Sequence, residues 1–272
     1  MTAPDQSHTE DGTAYTRSGP QGAPCVVMIH GLGLCEDVWQ WQRPALDDAY
    51  DVITYDLFGH GRSALSPAEP SLSVFAAQLA TLMDDCALHG AAIVGFSLGG
   101  MIARRFAQDH PDRTRALGIL HSPHQRSPAA QDAILARVAQ ARIEGPASTV
   151  EAALERWFTA PFRGENPDMM DLVRGWVLAN NIDIYHRNYK VLADGINEIT
   201  APVPPINVPA LVMTADEDFG NNPEMSHAIA AEIAGAETLI LKGLRHMALA
   251  EAPQRTNAPL RQFLDRNLKG DN

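Results

Sequence analysis

Residues Gly95-Phe96-Ser97-Leu98-Gly99-Gly100 hold a serine in a G-x-S-x-G spacing, at the junction of two unlike sequence patterns. Before it, Ala91-Ala92-Ile93-Val94 is short, apolar and uncharged, the composition of a buried strand. After it, Met101, Ile102, Arg104, Arg105, Phe106 and Gln108 run without a breaker to His110-Pro111, which predicts a helix starting at the serine. A strand that turns directly into a helix strains the residue at the corner, and glycines two positions either side remove the side chains that would clash. The hydroxyl is then presented at the carboxyl edge of a sheet. The N–H of Leu98, at a helix N-terminus, points to where an oxyanion would develop. This strand–turn–helix context is the one a serine nucleophile at an elbow requires.

Partners for such a serine occur in order along the chain. Upstream, Cys25-Val26-Val27-Met28-Ile29 reads as a second buried strand running into His30-Gly31-Leu32-Gly33. Gly31 and Gly33 let the backbone of Leu32 approach a substrate oxygen, which makes its N–H the second candidate oxyanion donor. His30, at a strand end before a glycine, reads as a structural hydrogen-bonder. Downstream, Val208–Ala215 reads as a late strand followed by Asp216-Glu217-Asp218, then a helix over 223–233 and a strand over 237–241. The loop Lys242-Gly243-Leu244-Arg245-His246-Met247 follows. Nucleophilic catalysis by serine needs a base within reach and a carboxylate to orient that base, and the order Ser…Asp…His supplies both.

On these residues the chain resembles the α/β-hydrolase superfamily, from Tyr15 to Leu268. The resemblance rests on His30-Gly31-Leu32-Gly33, Asp56-Leu57-Phe58-Gly59-His60-Gly61-Arg62-Ser63, the Ser97 elbow, the Asp218 loop and His246. It implies that the 56–63 segment shapes a loop after the second parallel strand, with Asp56 and His60 structural. It also implies Ser97, Asp218 and His246 as catalytic residues, with Leu32 and Leu98 as the oxyanion hole. Asp218 takes the acid position by the family's register, with Asp216 as the alternative and Glu217 as a solvated charge. His121 and His124, after the strand 116–120, are candidates to line the substrate pocket. His246 is preferred over both as the base because neither of them sits after an acid loop in the right order.

Composition bounds the rest. A chain of 272 residues with 45% hydrophobic content can bury one large α/β core plus an insertion. A net charge of −12 argues against nucleic acid or an anionic membrane as partner. No stretch reads as a membrane span or a signal peptide, and Cys25, Cys35 and Cys86 form no disulfide framework. A cytoplasmic location with reduced thiols is therefore expected. No zinc spacing or phosphate-loop glycine pattern occurs, so neither cofactor nor metal is implied. The expected partner is a small-molecule ester or lactone, and the oligomeric state is left open.

Strands alternating with helices predict an α/β-hydrolase fold, a mostly parallel doubly wound sheet with helices on both faces. The stripe Leu72, Phe75, Leu79, Leu82 and Met83 fits a helix packed on that sheet. Between the strands at 120 and 211 the pattern becomes helical, near 129–144, 150–158, 167–179 and 184–192. The expected organisation is a core over 13–121 and 206–272, a helical lid over 122–205, and a flexible tail over 1–12. Within the lid, Glu155-Arg156-Trp157-Phe158-Thr159-Ala160-Pro161-Phe162 resembles a segment of bacterial 3-oxoadipate enol-lactonases, as does Arg245–Pro253. That likeness implies Arg156 and Trp157 as substrate-binding residues. The later lid departs from it, with bulky Tyr185-His186-Arg187-Asn188-Tyr189-Lys190 where those enzymes have small residues and cysteine. The expected activity is cofactor-independent hydrolysis of a small carboxylic ester or lactone through an acyl-enzyme on Ser97. C–C bond hydrolysis, acyl transfer, perhydrolysis and a non-catalytic ligand-binding role on the same fold are the alternatives.

Overall fold

The computed structural model describes residues 5–268. Eight strands form one sheet in the order β1-β2-β4-β3-β5-β6-β7-β8. They are β1 (Asp5–His8), β2 (Ala14–Ser18), β3 (Cys25–Ile29), β4 (Asp51–Tyr55), β5 (Ala91–Phe96), β6 (Thr114–Leu120), β7 (Ala210–Ala215) and β8 (Glu237–Leu241). The pairs β1–β2 and β2–β4 are antiparallel, and every pairing from β4 to β8 is parallel. The central strands are apolar on both faces because helices cover both. Val27 and Ile29 point into a core with α1 (Leu72–Asp85), α2 (Leu98–Asp109) and α8 (Pro223–Ala231). Val26 and Met28 point into the other, with Trp39, α9 (Ala248–Glu251) and α10 (Pro253–Leu268). The expected stripe on α1 is wholly buried.

Between β6 and β7 come α3 (Pro128–Glu144), α4 (Val150–Trp157), α5 (Ala160–Glu165), α6 (Pro167–Leu178) and α7 (Ile182–Asp194). α5 went unread in the sequence, its Pro161 and Gly164 being breakers that here occupy one short capped turn: Thr159 accepts from the Phe162 N–H and Pro161 sits at the helix start. No helix among the described residues is long and apolar enough to cross a membrane.

One expectation is corrected. Residues 5–8 of the supposed tail over 1–12 are a paired edge strand, held by a turn in which Thr9 N–H donates to Thr13 O and Gly12 N–H to Thr9 O. The segment Asp5-Gln6-Ser7-His8 is polar and lacks alternation, so its pairing comes from that turn and from the free edge of β2 rather than from burial. Residues 1–4 lie outside the described residues. The three cysteines are free thiols, Cys25 and Cys86 buried and Cys35 partly so.

Candidate active site

Ser97 sits between β5 and α2 at φ 55°, ψ −113°, a conformation that L-residues rarely adopt. The flanking glycines are steric requirements. A Cβ on Gly95 would lie 2.1 Å from Gly99 O, and one on Gly99 would lie 2.2 Å from Ile29 O. The strained corner is held by the Ser97 N–H, which donates to Leu120 O at 2.8 Å. Leu98 opens α2, so its N–H has no acceptor within the helix. Leu32, between Gly31 and Gly33, lines the same cavity as Ser97.

Asp218 lies in the turn after β7 and is buried. Its Oδ2 accepts from His246 Nδ1 at 2.7 Å and from His121 Nδ1 at 2.9 Å. Its Oδ1 accepts from the backbone N–H groups of Asn221 (3.0 Å) and Gly220 (3.2 Å). Burial alone would raise the carboxyl's pKa. The His246 charge and the hydrogen bonds from both rings outweigh burial and hold it well below the usual carboxylate range. A carboxylate only accepts, so both Nδ1 atoms carry protons. His246 lines the cavity with Ser97, its ring 4.8 Å from that of Phe96, the residue before the serine. No direct hydrogen bond joins Ser97 to His246 among the described residues; such contacts are often long before substrate arrives. Asp216 is exposed, its Oδ1 accepting from the Gly243 N–H at 2.7 Å, and it lies outside the cavity.

The cavity that holds Ser97 and His246 has a volume of about 110 Å³ and is walled by Leu34, Phe96, Trp157, Tyr185 and Tyr189 among others. Arg156 and Trp157 both reach it, Trp157 with its ring 6.0 Å from that of His246. His121 and His124 do not, which corrects the expectation that they line the pocket. His121 is fully buried behind Asp218 in a left-handed conformation (φ 49°). That conformation is fixed by Asn221 Nδ2 donating to His121 O at 2.7 Å. Burial lowers the His121 pKa, and its Nε2 has no partner. His124 turns away to Glu232 (2.9 Å) and lines a separate outer cavity.

Asp56 and His60 are structural, as the resemblance implies. Asp56 accepts from the N–H groups of Glu36 (2.7 Å) and Arg62 (2.9 Å), and His60 is buried beside His30. His30 ties the end of β3 to that loop, its Nε2 accepting from the Leu57 N–H at 3.0 Å while its Nδ1 donates to Gly31 O at 2.7 Å. One donor atom from each of His121, Asp218 and His246 lies within 4.8 Å of the others, close enough to admit a metal ion. Both Nδ1 atoms are already committed to Asp218, however. Sequence reasoning missed His121 as the second donor to Asp218, and Arg126, Arg137, Tyr185 and Tyr189 as cavity walls. The spacing of Tyr185 and Tyr189, four apart on one helix face, was the available signal for the last two.

The chain is similar to known proteins over nearly its whole length. A family model described as "Alpha/beta hydrolase family" matches residues 26–258. The (E)-2-((N-methylformamido)methylene)succinate hydrolase of Acinetobacter baylyi is 27% identical over 254 residues, 93% of this chain and 94% of that one. The 3-oxoadipate enol-lactonase 2 of the same organism is 23% identical, covering 93% of this chain and 92% of its own. The crystal structure of an enol-lactonase from Burkholderia xenovorans superposes with a TM-score of 0.86 at 26% identity, over 96% of this chain and 99% of that one. The sheet order, the serine corner and the acid–histidine pair thus sit in a chain that resembles enol-lactonases and belongs, as an enzyme, to the alpha/beta hydrolase family.

Proposed function

We propose that the protein is a cofactor-independent serine hydrolase that cleaves a small carboxylic ester or lactone through an acyl-enzyme on Ser97. The observation that carries this reading is the Asp218–His246 hydrogen bond at 2.7 Å beside a strained serine in one small cavity. Ser97 Oγ attacks the carbonyl carbon as His246 Nε2 takes its proton. The N–H groups of Leu32 and Leu98 receive the oxyanion, and Asp218 stabilises the imidazolium. Collapse breaks the bond to the alkoxy oxygen, which leaves with the proton from His246. Water then attacks the acyl-enzyme, giving its proton to His246, and the acid is released as Ser97 recovers its hydrogen. Relatives named as an enol-lactonase and as a hydrolase of (E)-2-((N-methylformamido)methylene)succinate support hydrolysis over acyl transfer.

The test is labelling by a fluorophosphonate probe together with turnover of short acyl esters and lactones. Wild type is expected to label and turn over, while Ser97→Ala and His246→Ala each remove nearly all turnover and the double variant loses little more. A folded Ser97→Ala protein that hydrolysed esters at the wild-type rate would refute the assignment.

A further inference from the structure

Three guanidinium groups stand around one small cavity in a strongly acidic protein. Arg126 precedes α3, Arg137 lies on α3 and Arg156 on α4, and all three line the cavity that holds Ser97 and His246. The same three also line the outer cavity of about 470 Å³, so they form the wall where the two spaces meet. All three are half-buried. None forms an ion pair with a carboxylate among the described residues, whereas Arg17, Arg174 and Arg261 elsewhere each have one. Arg126 donates to the carbonyls of Leu192 (3.1 Å) and Ala193 (3.3 Å), and Arg137 Nε donates to Tyr189 Oη at 2.9 Å. Arg137 repels both of the others: burial first, then the Arg137 charge, lowers the pKa of Arg126 to about 10, and the same two causes lower that of Arg156 below its ordinary value. Neighbouring cations held partly out of water destabilise one another until an anion enters. Asp218, the carboxylate of the cavity, is already engaged by two histidines. Arg137 stands between the other two, so one carboxylate bound at Arg126 or at Arg156 would leave Arg137 repelling the cation that remains.

We propose that the Arg126–Arg137–Arg156 wall is a dianion subsite, and that the substrate is a small ester or lactone carrying two carboxylates. The substrate statement rests on the serine-hydrolase reading above; the subsite itself does not. The geometry places the anions at the junction of the two cavities, with the scissile carbonyl in the inner one. The outer cavity, with the three arginines against one carboxylate, Glu224, then gives anions a net cationic approach that the chain's net charge of −12 would otherwise deny them.

The experiment is calorimetric binding of two compounds that the enzyme cannot hydrolyse, succinate and 4-oxopentanoate. They share a length and differ by one carboxylate. Succinate is expected to bind at least about tenfold tighter, the factor that one additional charge-assisted hydrogen bond supplies. Arg137→Gln and Arg156→Gln should each reduce that preference, and Arg137→Lys, which keeps the charge, should retain most of it. Fluorophosphonate labelling of the same variants shows that each has folded around an intact Ser97. Equal binding of the two compounds by wild type, no binding of succinate, or a preference unchanged in both glutamine variants would each overturn the subsite. Tight succinate binding by a protein that the fluorophosphonate does not label would instead uphold the subsite and remove the serine-hydrolase reading.

Discussion

Replacing Asp218 by asparagine changes one atom, and neither orientation of the new amide fits its surroundings. If the amide oxygen takes the place of Oδ2 it still accepts from both histidines, but the NH2 group then meets the N–H groups of Asn221 and Gly220, donor against donor at 3.0 and 3.2 Å. If the amide is flipped, the NH2 group faces both Nδ1 atoms and forces the proton of His246 onto Nε2, the atom that accepts from Ser97 in the proposed mechanism. Either way two hydrogen bonds to a charged group are lost, at about 1.5–3 kcal/mol each, so a stability loss of about 3–6 kcal/mol is expected. Turnover should fall on the order of 10⁴-fold, the cost of the wrong histidine tautomer. Asp216→Asn is the matched control, because its amide oxygen can still accept from the Gly243 N–H at the surface. That variant should stay within about threefold of wild type, since a surface contact of this kind contributes little. The assay is steady-state turnover of a short acyl ester beside urea unfolding of all three proteins. Near-native turnover in Asp218→Asn, or a larger loss in Asp216→Asn, would show that the carboxylate orienting His246 has been misassigned.

Acid should weaken the fold before it protonates exposed carboxylates. Burial holds His30 down at about 4 and, with repulsion from His30, His60 at about 3, against an ordinary value of 6.5. The unfolded chain therefore binds more protons than the folded one as pH falls below 6.5, and stability is lost between 6.5 and the folded values. For His30 that is about 2 kcal/mol at pH 5, visible as a lower urea midpoint than at pH 7.5; equal midpoints would contradict the buried neutral tautomer. Dialysis against a chelator should leave turnover unchanged, because the His121–Asp218–His246 cluster already spends both Nδ1 protons internally; loss restored by a divalent ion would place a metal there. Trp157→Ala should lower kcat/KM on neutral and anionic esters alike, by about tenfold, since it removes cavity wall and not charge; a loss confined to anionic esters would assign the residue to charge recognition.

The elbow was legible in sequence because its constraints are local. A glycine on each side and a helix start are the steric conditions for one strained residue, and all lie within six positions. The acid was less legible, since Asp216 and Asp218 share one short turn. What separates them is which carboxylate the N–H groups of Gly220 and Asn221 draw inward. The role of His121 was out of reach, because its contact with Asp218 spans 97 positions and depends on a left-handed backbone that only the folded neighbour Asn221 holds. The arginine wall was illegible for the same reason. Arg156 carried a family resemblance, but Arg126 and Arg137 sit in polar sequence that reads as solvated surface until α3 is laid against α7.

The C-terminal end of α4 is stapled to the loop that carries His246. The Met247 N–H donates to Trp157 O at 2.9 Å, and Arg245 Nη1 donates to the carbonyls of Glu155 (2.7 Å) and Phe158 (3.2 Å). Among the described residues α3 has no such staple to the sheet: it buries Ile134 and Ala141, and Gln131 and Arg137 hydrogen-bond to Ala193 and Tyr189 of α7. The two sides of the cavity roof are therefore mechanically unequal. Raising the Trp157 side would break hydrogen bonds to the loop that carries His246, whereas raising α3 would break its hydrogen bonds to α7 and the packing of two buried side chains. Insertions, truncations or sequence drift confined to α3 can then remodel what the enzyme accepts while the proton-transfer geometry beneath stays in register.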